Sequence, residues 1–170
     1  MLPATSTVVD LVAETTDGSV VEGQVTVSAT PGVTRVRLQP CPVAPPEVLC
    51  AIGDAAAIVL GPGSLYTSVL AAVVVPGIAE ALAGSGAPVV YLCNLHPQVH
   101  ETDGYGVAEH VEALSRHGVV PDVVLYDPDQ IGGAEGVVGA APVRLARPGG
   151  LAHDPELLAG ALGPIVRVPC

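Results

Sequence analysis

Apolar positions along this chain change their rhythm partway. In the first forty or so residues they alternate with small and polar ones, whereas from Ala55 onward they arrive in solid blocks separated by glycine-rich or polar breaks. Alternation is the period of a half-buried strand, and a short unbroken block suits a strand buried on both faces. The stretch from Thr7 to Val27 therefore predicts a hairpin, VVDLVAE and VVEGQVTV joined by the turn Asp17-Gly18, with a third strand in TRVRLQP. A proline-rich link, Pro40 to Pro46, leads into a short helical piece, PEVLCAIGDA, and then into Ile58, Val59 and Leu60, a strand expected to be buried on both faces. A helix then opens at Ser64 and breaks at Pro76-Gly77, followed by the helical stretch IAEALAG, the strand VVYLCNL, a polar loop, a helix from Val107 to His117 and the strand DVVLYD. Val107, Val111 and Leu114 recur at helical spacing, and His117-Gly118 supplies the stop. Beyond Asp129 the pattern thins. APVRLA predicts one more strand, and HDPELLAGAL a closing helix with Asp154 as N-cap and Pro155 at its first position.

Strands and helices that alternate in this way build βαβ units with right-handed crossovers. The expected fold is α/β, a single domain over residues 1–170 with a partial doubly wound, Rossmann-like, mostly parallel sheet and an amino-terminal antiparallel hairpin. Nucleotide-binding sheets of this kind normally open on a strand and a glycine-rich turn, so the visible strands make about half of the usual sheet.

Composition narrows the chemistry. With no Phe or Trp and one Met, the core must be packed by Val, Ala, Leu and Ile. The net charge is −11, from 17 acidic residues against six arginines and no lysine. That sign opposes nucleic-acid binding, and the missing lysine excludes a Walker-type phosphate loop. A phosphate bound here must rest on backbone amides, hydroxyls, a few arginines or a bridging metal ion. Cys41, Cys50, Cys93 and Cys170 form no CxxC pair and predict no disulfide framework; Cys93, inside an apolar run, reads as a buried thiol. The segment MLPATSTVVD has neither a basic nor an apolar leader region, and no apolar run is long enough to span a bilayer, so the expected setting is the cytoplasm, with no membrane partner.

Two loops carry candidate chemistry. The first is GPGSLYTS, Gly61 to Ser68, where an apolar block meets a tight turn and a hydroxyl-rich helix start. Gly61, Pro62 and Gly63 let the backbone approach a ligand, and Ser64, Tyr66, Thr67 and Ser68 belong to the helix start, whose free amides and dipole favour an anion. Ser64 is the natural N-cap. A plain tight βα connection accounts for the same glycines. The second loop runs from Cys93 to Gly106. If its strand neighbours the first, Asn94, Gln98, Glu101, Thr102 and Asp103 reach the same ligand: the amides to read a base or sugar edge, the carboxylates to hold ribose hydroxyls or magnesium. The alternative is that ETDGYG is only a helix entry capped by Thr102 or Asp103. Cys93, His96, His100 and Glu101 have partial zinc spacing but lack a familiar fourth ligand. His110 reads as a satisfied, half-buried histidine, and no GxSxG elbow is present.

These loops together resemble the carboxyl-terminal part of the gluconeogenesis-factor family, which is related to the 2-phospho-L-lactate transferases of deazaflavin cofactor synthesis. The resemblance rests on AIGDAAAIVLGPGSLYTSVL, VPGIAEAL, YLCNL, Gln98, ETDGY, His110, VVLYD and HDPELLAGAL. It implies a cytoplasmic protein that binds nucleotide sugars of the UDP class, or a nucleotide diphosphate with magnesium, and is needed for growth and cell shape on gluconeogenic carbon sources. Catalysis of its own is not expected; the transferase relatives imply the alternative, a phospholactyl transfer. The chain departs from the family at His96, Pro97, Val99 and His100, where the family tends to have Met-Thr and Pro-Gly. It also implies that the family's first glycine-rich loop lies outside this sequence, so that the chain reads as a fragment, a mis-started gene or a degenerate paralogue. A homo-oligomer, a partner chain supplying the other half, and a non-binding remnant are the further expectations.

Overall fold

The computed structural model describes residues 1–166; Cys170 lies outside them. Two sheets organise the chain. Strands β1 (Asp10–Thr15), β2 (Val20–Glu22) and β3 (Val33–Gln39) form an antiparallel sheet in the order β2-β1-β3. Strands β4 (Ile58–Leu60), β5 (Val89–Leu92), β6 (Val123–Tyr126) and β7 (Ala140–Pro142) form a parallel sheet in simple sequential order. The α/β class and the parallel run from residue 58 are thus as the hydrophobic pattern predicts.

The first hairpin turns where Asp17-Gly18 places it, with Gly18 at φ 83° and the Asp17 carboxylate accepting from Ser19 N and Thr15 Oγ1. The expected second strand stops early, however. After Gly23 (φ 92°) residues Gln24–Ser28 coil into a short helix, α1, rather than continuing as VTV in the sheet. The reason is tertiary. The helix buries Val27 completely in the core and lets Gln24 Nε2 donate to the carbonyl of Thr67, 3.1 Å away, so packing overrides the strand preference of two valines and a threonine.

A single apolar cluster joins the two sheets. Leu11, Ala13, Val33 and Val36 from the antiparallel sheet meet Leu65, Tyr66, Leu70, Val89, Tyr91, Val107 and Leu114 from the parallel half. Helix α5 (Val107–Arg116) lies between them and is bonded across to β3: Arg116 donates to Thr34 O, and Val36 N donates to His117 Nε2 at 3.0 Å, while His117 Nδ1 faces Ala113 O at 2.7 Å. The other face of the parallel sheet, Val90, Leu92 and Leu125 with Leu145, is covered by α6 (Pro155–Leu162). Asp154 caps that helix as expected, accepting from Glu156 N and Leu157 N.

β5 is buried at every position, as its VVYL block predicts. β4 is not. It pairs only with β5 and forms the edge of the sheet, where Val59 is 39% exposed. Register sets Val59 beside Val90, on the face that α6 covers over the inner strands but not over this edge. Helix α2 (Pro46–Gly53) precedes β4, and α4 (Ile78–Gly84) follows the Pro76-Gly77 break. Among the described residues no single helix is long and apolar enough to cross a membrane.

Candidate functional site

At the carboxyl end of β4 the chain turns through Gly61, Pro62 and Gly63 and enters a π-helical turn, Leu65–Leu70, which runs into a short helix, α3 (Ala71–Val73). Both Ser68 N and Val69 N bond to Ser64 O, which widens the first turn. Gly61 is the glycine the turn requires: its φ is 87°, and a Cβ there would sit 2.8 Å from the Leu92 carbonyl. Gly63 has no positive φ, and a Cβ there would only touch Ser68 at 3.7 Å.

The β5 loop holds this turn at three points. The Asn94 amide pairs with the Gly63 peptide in both directions, Gly63 N to Oδ1 at 3.3 Å and Nδ2 to Gly63 O at 3.0 Å. Gln98 Nε2 donates to Ser64 Oγ at 3.1 Å, and Gln98 Oε1 is buried without a partner. The third contact carries the most weight. Glu101, 4% exposed, accepts from Tyr66 N at 2.6 Å and from Thr67 N at 2.9 Å through Oε1, with Thr67 Oγ1 against both carboxylate oxygens. The helix start is capped by a carboxylate from another loop, and Ser64 makes no side-chain cap.

The sequence-predicted residues are therefore brought together, but in different roles. Glu101 spends its oxygens inside the protein rather than on a ribose or a metal, and Asn94 fixes the turn. Thr102, fully buried, accepts from Gln98 N at 2.7 Å, and the exposed Asp103 accepts from His100 N at 2.9 Å. Both brace the loop from 98 to 103; the helix entry belongs instead to Gly106, whose N–H donates to Glu109. Tyr66 points inward, its hydroxyl 3.0 Å from that of Tyr105, and burial followed by that contact pushes it well above the usual tyrosine range. What remains on the outside is the backbone of Gly61 to Ser64, the exposed Pro62 and Ser68, Ser64 Oγ and the half-buried Gln98 with its Nε2. The amides of Ser64 and Leu65 have no protein acceptor among the described residues. Leu65 is fully buried and Ser64 half-buried, so it is the Ser64 amide that is open to a ligand.

His100 has an unusual backbone. Its φ of 70° is a left-handed conformation, the kind a glycine adopts at no cost, and the backbone keeps that shape with histidine in place. Cys93 is buried, and burial pushes its thiol up to about 12, which keeps it protonated and a poor metal ligand. Among the described residues no three His, Cys, Asp or Glu side chains cluster to hold a metal ion. With Glu101 engaged on backbone amides, the residues present do not fit a protein-held magnesium site.

Sequence reasoning missed the polar group behind these loops. His110 is fully buried rather than half-buried, with Nδ1 on Gly106 O at 2.7 Å and Nε2 unpartnered, beside the equally unpartnered Tyr91 hydroxyl. It also missed Asp127, which follows β6 as Asn94 follows β5 and accepts from Leu145 N, Ala146 N and Asp129 N. An acid directly after an apolar block was the available signal. Burial opposes its charge, but those three N–H bonds win and hold it below the usual carboxylate range.

Two cavities lie elsewhere. One of about 840 Å³ opens at the amino ends of β5 and β6, among Ala79, Leu82, Val119 and Asp122. Another of about 440 Å³ lies behind Thr67, between Leu11, Leu38, Ala71 and Val75. Neither is lined by Gly61 to Ser64, Asn94 or Gln98; with Pro62 and Ser68 exposed, the turn is a shelf on the surface.

A parallel four-strand sheet with a glycine turn at one strand's carboxyl end places the chain in the α/β class. Within it, the model of the family described as "2-phospho-L-lactate transferase CofD" matches residues 1–137, and the chain belongs to that family. It is 43% identical over 131 residues to the "Gluconeogenesis factor" of Halalkalibacterium halodurans, covering 74% of this chain and 41% of that protein. It is 38% identical over 151 residues to the "Gluconeogenesis factor" of Bacillus subtilis, covering 84% and 48%. A crystal structure of a UPF0052-family protein from Bacillus halodurans superposes with a TM-score of 0.86 at 34% identity, over 95% of this chain and 60% of that one. The chain thus spans between two fifths and one half of the length of these two curated relatives.

Proposed function

We propose that this chain is a nucleotide-sugar-binding regulatory module of the gluconeogenesis-factor type, acting in the cytoplasm in growth and cell shape, without catalysis of its own. The observation that carries the reading is the shelf itself: the open Ser64 amide, Ser64 Oγ and the Gln98 Nε2 group at the carboxyl end of an edge strand. In an acidic chain without lysine, such neutral donors are the means left for holding a diphosphate. The exposed β4 edge beside it suits pairing with the rest of the family domain or with a second copy, and light scattering that finds only monomer would count against that partner. Calorimetric titration with UDP-linked sugars and GDP tests the binding. Micromolar to millimolar affinity supports it, with Ser64→Ala weaker by about 1 kcal/mol, and no heat from any of these ligands at millimolar concentration overturns it.

The family description favours a second reading, phospholactyl transfer onto a deazaflavin. Incubation with a guanylylated phospholactate donor, a deazaflavin and magnesium then releases GMP; no GMP rejects it.

A further inference from the structure

An edge strand leaves a row of backbone groups without a strand partner, and β3 is an edge: among the described residues it pairs only with β1. Its free side is met by the end of α5. Arg116 Nη1 donates to Thr34 O at 3.0 Å, and further along the strand Val36 N donates to His117 Nε2 at 3.0 Å. A donor opposite a carbonyl and an acceptor opposite an amide are what a neighbouring strand would supply. The His117 half of this arrangement depends on its protonation state. Its Nδ1 faces the Ala113 carbonyl at 2.7 Å, and a carbonyl only accepts, so Nδ1 carries the hydrogen. Nε2 accepts from Val36 N and is therefore bare. A second proton can go only to Nε2, where two N–H groups would then point at each other.

We propose that His117 is a proton-operated latch on the β3 edge: neutral, it holds the end of α5 against the strand, and protonated, it releases Val36 and bares that edge. The groups around the half-buried ring favour release. Arg35 on β3 and Arg116 on the helix itself are both cations, and Glu112 is already paired with Arg116 at 2.8 Å. The π-helical turn contributes the Tyr66 ring, edge-on with centroids 6.2 Å apart, whose hydroxyl is taken up with that of Tyr105. Burial and then the two arginines hold the ring below the usual histidine range, against the bond to Ala113. The latch is thus closed at neutral pH and opens on acidification.

The test is NMR on the full chain from about pH 8 to about pH 5. Imidazole nitrogen shifts should show the Nδ1–H tautomer of His117 at the upper end and a titration below the ordinary value of about 6.5. Protection of the Val36 amide against hydrogen exchange, relative to the unfolded chain at each pH, should fall by about tenfold or more with the same midpoint. Val124 N, bonded to Gly139 O in the parallel sheet, should keep its protection. In His117→Gln, which cannot titrate, the protection of Val36 should no longer change with pH. A Val36 amide that stays protected down to pH 5 overturns the latch, as does one that loses protection together with Val124, which is unfolding of the whole chain. A pH dependence that survives His117→Gln overturns it too. Should that variant fail to fold, the wild-type midpoints decide: a Val36 transition that does not coincide with the His117 ring titration refutes the proposal.

Discussion

Removing the Glu101 side chain is the most informative perturbation of the fold around the shelf. In Glu101→Ala, the amides of Tyr66 and Thr67 lose an acceptor at 2.6 and 2.9 Å, and the buried Thr67 hydroxyl loses its only side-chain partner among the described residues. A hydrogen bond to a charged group contributes about 1.5–3 kcal/mol, and an orphaned buried donor costs about 1–3 kcal/mol. Water reaching the emptied space recovers part of this, so the expected loss is about 3 kcal/mol, or a fall in Tm of about 6–12 °C for a chain of this size. Glu101→Gln, which keeps an acceptor but not the charge, should lose about 1–1.5 kcal/mol. Asp103→Ala, which removes a single exposed loop bond to His100 N, should lose about 0.5 kcal/mol. Urea unfolding followed by circular dichroism gives all three values. If Glu101→Ala falls within 0.5 kcal/mol of Asp103→Ala, the carboxylate does not clamp the two loops together.

Three further outcomes follow from the same geometry. Gly61→Ala forces a Cβ to 2.8 Å from Leu92 O at φ 87° and should cost about 2–3 kcal/mol, whereas Gly63→Ala should cost less than about 1; equal costs in denaturant unfolding would refute the assignment of the strained turn to Gly61. His100→Gly relieves a left-handed histidine and should stabilise by about 1 kcal/mol, with a lower Tm as the contrary result. His110 and His117 are both held below the usual histidine range, chiefly by burial. The unfolded chain then takes up protons first as the pH falls, so their contribution is complete above the ordinary histidine value and is lost below it, by up to about 1.4 kcal/mol per pH unit for each. Tm should be flat above about pH 7.5 and fall toward pH 5, less steeply in His117→Gln; equal slopes would clear His117.

Much of this was legible in the chain because it is local. The all-apolar VVYL block needs a strand buried on both faces, and Asp154-Pro155 is a complete helix start in two residues. The glycine turn was legible for the same reason, although only the structure separates Gly61, pressed against Leu92, from Gly63. What escaped is tertiary. Val25 and Val27 carry a strand's composition but fold into α1, because Val27 is buried in the shared core. Ile58 to Leu60 read like an inner strand yet lie at an edge, since nothing in three residues says how many neighbours a strand will have. Glu101 lies beside the glycine turn, where it accepts from the Tyr66 and Thr67 amides. A carboxylate near a helix start and a carboxylate that caps it have the same sequence, and only the closing of a loop across the 35 positions from Tyr66 to Glu101 tells them apart.

A diphosphate held on the shelf at the end of β4, as proposed, rests on the Ser64 amide that Glu101 leaves open. Amide-resolved NMR titration with a UDP-linked sugar tests it most directly. The largest shifts should fall on Gly63, Ser64 and the Gln98 side-chain amide, with smaller ones at the buried Leu65, Tyr66 and Thr67. Shifts centred instead on Ala79, Val119 and Asp122, at the opposite end of the sheet, or no shifts at millimolar ligand, would contradict it.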